Sequence, residues 1–580
     1  MAYAAEKKSG TPDSTSPPPE LEARKRRFEK LRADRGTLNS HLEEIAEVIY
    51  PNGLGFVSRR TQGEKRMSRI YDETGITANR LHAASLHSMA TNPASKWFTI
   101  RVLGGPDESG EDINDNARVK KWRSDTEDGM YEEMYAPGTN LIPTLHEFYL
   151  GLSAFGTGPM FIGEATGGNL MFQSRALAEC YIAENQDGIV DTLYRCYPLS
   201  VRQVCETEGW TPSDKVKEMH SQGKLDDQIE IIHAVEPRRS RDPGKKNAKN
   251  MPWHSCYFEL ATCHELADGG FPEFPYVVPR WEKAAGELYG RSPGMEALPA
   301  VKMLQAIESE MIKIMQKLAN PPYFLRDDGV VGSIRNIPGA TNFWRGNPNE
   351  GVMQLPASDK VPITLEWVEG IRNRVRTIFQ NDTLQIVDDR EMTLGEANMR
   401  RTERMRLQGP NIGRLDAEML GPMISRVYGI LDRKGKIRPA PKEMEGRAIT
   451  VEFVSPLANV QKQEQLAGLV QIFNYIAPLG EIGLMALAKR INMGRVIDGL
   501  WDILANDPDW LNTPEEMQAI EEQEAQAKNI QAAEPIAGAA EQGAGAVKNL
   551  AEANAGGGID MQQLMALVGQ AGGQAMRKAA

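Results

Sequence analysis

Residues 292–322 read SPGMEALPAVKMLQAIESEMIKIMQKLANPP. Ser292 before Pro293 is the pattern of a helix N-cap followed by proline at the first helical position, where the missing N–H costs no hydrogen bond. From there Val301, Leu304, Ile307, Met311, Ile314 and Leu318 recur every three or four residues, and Asn320-Pro321-Pro322 ends the run. A helix over Pro293–Ala319 is about 40 Å long at 1.5 Å per residue, which is long for a globular core.

Its partner follows a short β-like, Gly/Pro-rich insert over 320–362. Ile363, Trp367, Ile371, Val375 and Ile378 form a second helical stripe, with Arg372, Arg374 and Arg376 distributed around it. A polar gap, Asn381 to Glu391, precedes a third helical run from Thr393 to about Leu431, punctuated by Gly409-Pro410 and Gly421-Pro422. The centre of the chain therefore reads as helix, small module, helix, loop and kinked helices.

Towards the N-terminus, residues 1–19 end in Ser16-Pro17-Pro18-Pro19 and lack the apolar content to offset the entropy of ordering, so they read as a flexible arm. Phe28, Leu31, Leu38, Leu42, Ile45 and Ile49 predict one long amphipathic helix from Glu20 to Tyr50. Asp72 predicts the cap of a helix running to about Ala90, Trp97 to Val102 a strand, and Asn114–Tyr135 and Asn140–Ala154 two more helices. Between about 159 and 281 the period shortens towards two. Strands are expected at Met160–Ile162, Tyr181–Ala183, Val190–Tyr197, Ile229–Val235 and Tyr257–Leu260. The fold class is α+β, mainly helical, with helices and antiparallel strands segregated. Towards the C-terminus, Ser455 to Asp509 is helical again. Residues 515–580, rich in Ala, Gln, Glu and Gly, read as a fraying helical or disordered tail.

The chain has 580 residues and a net charge of -12, so any nucleic-acid contact must be local or weak. Five cysteines, Cys180, Cys196, Cys205, Cys256 and Cys263, do not form a paired framework, which points to a reducing compartment. No segment approaches a membrane span and no export signal is read, so the protein is expected to be soluble when made.

Chemistry is sparse. No Gly-x-x-x-x-Gly-Lys-Ser/Thr loop is present, so a nucleotide motor is not supported; Gly104-Gly105-Pro106 and Gly167-Gly168-Asn169 read as turns. His254, Cys256, Cys263 and His264 contain zinc-ligand types, but neighbours on a strand point to opposite faces, which disfavours a metal. Asp388, Asp389 and Glu391 have the crowding of a two-metal nuclease, although a solvated loop is the simpler reading. No Gly-x-Ser-x-Gly elbow occurs. Arg24-Lys25-Arg26-Arg27 and Arg238 to Lys249 read as solvated surface, while the central arginines fit a DNA-facing helix and a plain helix surface equally well. No catalytic residue and no cofactor are expected.

Several short motifs run in order from about residue 20 to 510. They are Ile70-Tyr71-Asp72-Glu73-Thr74 before an Ala-rich helix, Pro93, Trp97-Phe98, Phe274-Pro275-Tyr276-Val277-Val278, Arg280-Trp281, and Tyr289-Gly290-Arg291-Ser292-Pro293. Leu298-Pro299, Asn320-Pro321-Pro322, Arg404-Met405-x-x-x-Gly409-Pro410, Leu420-x-Pro422 and Ser455-Pro456-Leu457 follow. In these the chain resembles the head-to-tail connector, or portal, proteins of short-tailed bacteriophages. It departs at Thr91-Asn92-Pro93, where a proline-richer turn is usual, and after 515, where nothing matches firmly.

The resemblance implies a ring, commonly of twelve subunits, at one capsid vertex, through which double-stranded DNA enters at packaging and leaves at infection. It implies a wing over 20–291, stem helices over 292–319 and 363–380, and a clip over 320–362 that meets the packaging motor and later the tail. A tunnel loop over 381–392, a return to the wing over 393–454 and a crown over 455–514 complete the scheme. The implied partners are the terminase large subunit, tail and adaptor proteins, and the major capsid and scaffolding proteins, in a virion assembled in the host cytoplasm.

A conduit must pass DNA without holding it, and an acidic chain avoids tight capture. Lys302, Lys313, Lys317, Arg372, Arg374 and Arg376 are the candidates for weak, sequence-blind phosphate contact. The alternative for the lysines is ion pairing with Glu308 and Glu310. Asn381, Asp382, Asp388, Asp389, Arg390 and Glu391 are the tunnel-loop candidates. Two rival readings are a metal-dependent nuclease and a ring-forming adaptor with no open channel.

Overall fold

The computed structural model describes residues 18–453 and 520, apart from 54, 58–62, 68, 94–95, 104–112, 166, 246, 320–322, 326–351, 355–360, 382–408 and 445–446. Nearly all of the expected arm, most of the clip, the tunnel loop beyond Asn381, residues 393–408, the crown and all but Ile520 of the tail lie outside the described residues. The chain divides into two compact units, Met1–Ala505 and Asn506–Ala580, and the elements below belong to the first.

Where the spacing predicts one helix over Glu20–Tyr50, the chain makes two, α1 (Pro19–Asp34) and α2 (Gly36–Val48). The break falls at Arg35, which is 1% exposed. Its guanidinium donates to the carbonyls of Leu177 at 2.8 Å, Ala178 at 2.9 Å and also Cys180, and lies 3.9 Å from the Tyr181 ring centroid. The helix on either side then serves a different core: Leu21 and Phe28 pack on a sheet, whereas Leu42, Ile45 and Ile49 pack among helices. One straight stripe cannot reach both.

Next come α3 (Thr74–Ala90), β1 (Phe98–Leu103), α4 (Ala117–Met134) and α5 (Leu141–Phe155). The strand-rich region follows with β2 (Met160–Glu164), β3 (Leu170–Ser174), β4 (Cys180–Glu184) and β5 (Val190–Ser200). Two short helices, α6 (Val201–Glu206) and α7 (Asp214–Ser221), then lead to β6 (Gln228–Pro237), β7 (Trp253–Glu259), β8 (Glu265–Phe271) and β9 (Tyr276–Val277). The sheets are a five-stranded meander in the order β4-β5-β6-β7-β8 and a three-stranded sheet in the order β3-β2-β9, with every pairing antiparallel. The expected strands are present; β3, β8 and the two short helices carry too little periodicity to be read from sequence.

The long helix α8 (Pro293–Ala319) has the expected bounds. Ser292 Oγ accepts from the Met295 amide at 3.0 Å and donates to the Ala154 carbonyl at 2.8 Å, so the cap also fastens α8 to the end of α5. A Cβ on Gly294 would lie 2.5 Å from that carbonyl, which is why the first turn needs glycine there. The two short strands β10 (Tyr323–Leu325) and β11 (Val352–Gln354) pair antiparallel before α9 (Val361–Ile378).

Helical turns from 409 widen into a π-turn, Asp416–Leu420, ahead of α10 (Gly421–Arg433). Pro422 has no N–H to give to Glu418, and the wider turn absorbs that loss. Finally β12 (Ala448–Phe453) pairs with β1.

Two helical cores matter most. Val301 and Leu304 of α8 and Val368, Ile371 and Val375 of α9 pack, together with Phe379, against α2, α3 and α5. A second core joins α3, α4, α5, the π-turn and α10 to β1, β2 and β3. Trp367, expected in the buried stripe of α9, is instead 55% exposed, and Val368 takes its place. Leu365 on α9 and Ile312, Ile314 and Met315 on α8 are also exposed, so the pair is covered along only part of its length.

Candidate functional site

At about 100° per residue, Lys302, Lys313 and Lys317 fall within roughly 60° of arc on one side of α8, turned away from Val301 and Leu304. All three are exposed. Lys302 Nζ lies 2.7 Å from Glu44 Oε2, and this hydrogen bond holds the Glu44 carboxyl below its ordinary range. Lys313 Nζ lies 2.7 Å from Glu310 Oε1; the same bond lowers Glu310 and raises Lys313. Lys317 forms no ion pair among the described residues. Of the carboxylates expected to pair with the lysines, Glu310 does so and Glu308 turns to α9.

There Arg372 gathers three carboxylates: Asp72 Oδ2 at 2.9 Å, Glu308 Oε1 at 2.7 Å and Glu369 Oε2 at 3.5 Å. Burial opposes its charge, but the hydrogen bond to Asp72 prevails and raises the guanidinium pKa. Arg376 shares Glu369 at 2.7 Å and donates to Asn373 Oδ1 at 2.7 Å. The Glu369 carboxyl is lowered chiefly by the hydrogen bond from Arg376. Arg374 points elsewhere. It falls within about 20° of Trp367 around the helix and forms no ion pair among the described residues.

The clamp on Arg372 extends to α8 through Gln305. Its Oε1 accepts from the amides of Tyr71 at 2.7 Å and Asp72 at 3.1 Å, while its Nε2 donates to the Asp72 carbonyl at 2.7 Å. Asp72 Oδ1 in turn accepts from the Thr74 amide at 2.9 Å, one residue inside the cap position Glu73. The Tyr71–Asp72 turn is thus held by both long helices at once. Asp72, expected as the cap of α3, stands one residue before the cap position, which is Glu73. The motif around it was visible, but its partners lie more than 200 positions away.

Asn381 sits at the end of α9, 2% exposed, and donates through Nδ2 to the Ala78 carbonyl at 3.1 Å. It lines, with Tyr71, Thr74, Thr77, Arg372 and Arg376, a cleft of about 700 Å³. Asp382, Asp388, Asp389, Arg390 and Glu391 lie outside the described residues.

The zinc-type residues are not brought together. His254 Nε2 lies 2.5 Å from Asp268 Oδ1, His264 meets the Thr211 carbonyl, and Cys256 is buried under α1. Among the described residues no group of three or more His, Cys, Asp or Glu is placed to hold a metal ion. Arg24 and Arg27 of the first basic run both bind Glu236.

A chain of the virion of a native gene transfer agent particle is similar at 13% identity and a TM-score of 0.33, covering 75% of this chain and 96% of that one. A probable portal protein of Bordetella phage BPP-1 is 30% identical over 86% of this chain and 90% of its own length. The portal protein of Salmonella phage epsilon15 is 30% identical over 88% and 91%. The family described as bacteriophage head to tail connecting protein matches residues 21–511, the span that holds every element above but the first two residues of α1. The chain therefore belongs to the bacteriophage head-to-tail connecting protein family.

Proposed function

We propose that this chain is a portal subunit. Identical copies, twelve of them, close into a ring at one capsid vertex, and double-stranded DNA passes through the bore during packaging and ejection. The observation that carries the reading is the incomplete covering of the long helix pair. Ile312, Met315, Leu365 and Trp367 are between 42% and 60% exposed in a single copy. Apolar side chains on an elongated pair fit a heterologous interface, in which the next copy covers what its neighbour leaves bare.

In this reading 20–291 with 393–454 form the wing, α8 and α9 the stem, 320–362 the clip, 381–392 the tunnel loop and 455–514 the crown. The clip docks the terminase large subunit and later the tail and adaptor proteins. The wing meets major capsid and scaffolding proteins, and the ring, assembled in the host cytoplasm, ends in the virion. The lysine side of α8 faces the DNA. Lys302, Lys313, Arg372 and Arg376 are already paired with carboxylates and Arg374 lies on the Trp367 side of α9, which leaves Lys317 as the cation on the lysine side open to phosphate. A bore with most of its charge neutralised holds DNA weakly at every position, as passage requires.

Electron-microscopy class averages of the purified chain test the proposal. The expected result is a ring with an axial hole. Single subunits would contradict it, and a ring with a plugged axis would favour an adaptor.

A further inference from the structure

The turn between β6 and β7 concentrates positive charge in an acidic chain. Residues 238–249 hold six basic residues and one acidic residue, against a net charge of -12 for the whole. The acids beside these cations are already engaged. Asp242, within the turn, pairs with Lys245 at 3.3 Å. Glu236, near the end of β6, binds Arg24 at 3.1 Å and Arg27 at 2.8 Å, so the basic run of α1 lies against the base of the hairpin and occupies its carboxylate. Asp268 on β8 bonds to His254. Arg238 donates to the Gly269 carbonyl at 2.9 Å; burial lowers its guanidinium pKa, and the nearby Arg24 charge acts in the same direction against Asp268. Arg239, Arg241 and Lys249 are exposed and form no ion pair among the described residues.

The turn's own polar groups hold it in shape. The Arg238 amide donates to the Pro252 carbonyl at 2.8 Å, Asp242 Oδ1 accepts from the Gly244 amide at 3.1 Å, and Asn250 Oδ1 accepts from the Asp242 amide at 2.9 Å. The cations therefore stand on a backbone already fixed, which lowers the cost of ordering it against a ligand. None of the exposed large apolar side chains among the described residues lies on α1 or between Leu225 and Met303. A protein partner would ask for an apolar centre, whereas a phosphate backbone asks only for positive charge and N–H donors. We infer that this turn binds the phosphate backbone of double-stranded DNA, with Arg239, Arg241 and Lys249 as the cations that meet it. Contact of this kind is blind to sequence. The choice of duplex DNA rests on the conduit reading, in which the turn belongs to the wing, so holding DNA here leaves the bore free.

Fluorescence anisotropy with a labelled duplex of mixed sequence, titrated with the full chain at several salt concentrations, gives the affinity and its salt slope. The turn variant carries Arg239→Gln, Arg241→Gln and Lys249→Gln. A charge-matched variant carries Arg202→Gln, Lys215→Gln and Lys224→Gln, exposed cations at the other end of β6. A third carries Lys302→Gln, Lys313→Gln and Lys317→Gln on α8. The turn variant is expected to bind at least about tenfold more weakly at about 50 mM salt and to lower the salt slope by about two to three, since each lost phosphate contact removes about 0.9. The charge-matched variant should stay within about threefold of the parent. Arg241→Gln alone should lower the slope by about 0.9, which reads the site even if the triple variant unfolds. Unchanged binding in the turn variant, or an equal loss in the charge-matched one, would overturn the site. Loss in the α8 variant alone would overturn it while supporting the conduit reading. Displacement of the labelled duplex by polyglutamate as readily as by unlabelled duplex would assign the turn to an acidic protein segment and overturn the DNA assignment. Rings without affinity for DNA would overturn the turn alone, and single subunits that bind DNA through the turn would overturn the ring alone.

Discussion

One guanidinium ties the two long helices together beside the apolar core they share. Arg372 spans from α9 to Asp72, whose carboxylate is 3% exposed, and to Glu308 on α8. Removing it strands a buried charge, and the loss of one partner from such a pair costs on the order of 3 kcal/mol. Arg372→Ala is therefore expected to lower unfolding stability by about that much in urea titrations. Adding Asp72→Asn should recover more than half of the loss, because the neutral amide no longer needs a cation. A loss below about 0.5 kcal/mol in the single variant would place the clamp among ordinary surface ion pairs. Nothing local announces this pairing. Asp72 and Arg372 are 300 positions apart, and each has a sufficient short-range explanation, one as a helix cap and the other as a solvated helix face.

Among the elements, α8 was legible to the residue because its boundaries are set by local chemistry: Ser292-Pro293 at the start and Asn320-Pro321-Pro322 after the end. The helix expected over Glu20–Tyr50 was not, because its break depends on Arg35 reaching carbonyls more than 140 positions away. On α9 the helix was evident but its buried side was not. Trp367 and Val368 are both apolar neighbours, and only the position of α2 and α3 decides which one turns inward. That outcome leaves an indole in water at an exposed site, which a neighbouring copy would bury. Trp367→Glu is expected to leave the single copy's unfolding stability within about 0.5 kcal/mol and to abolish assembly in sedimentation experiments. Retained assembly would show that this side of α9 faces solvent in the ring.

At the scale of the whole molecule, an acidic chain with a lysine-bearing helix and internally neutralised arginines fits passage better than capture. The family match over 21–511 covers the same stretch, about 20 to 510, along which the motifs run in the sequence. The charge pairing that tunes the surface was not legible, because it depends on which helices lie side by side. The most direct measurement is a cryo-electron-microscopy reconstruction of the purified assembly at side-chain resolution. The expected result is a twelve-fold ring whose bore is lined by the Lys302, Lys313 and Lys317 side of α8, with Trp367 and Met315 covered by the adjacent copy. A ring that turns this side of α8 outward, or leaves Trp367 bare, would contradict the account.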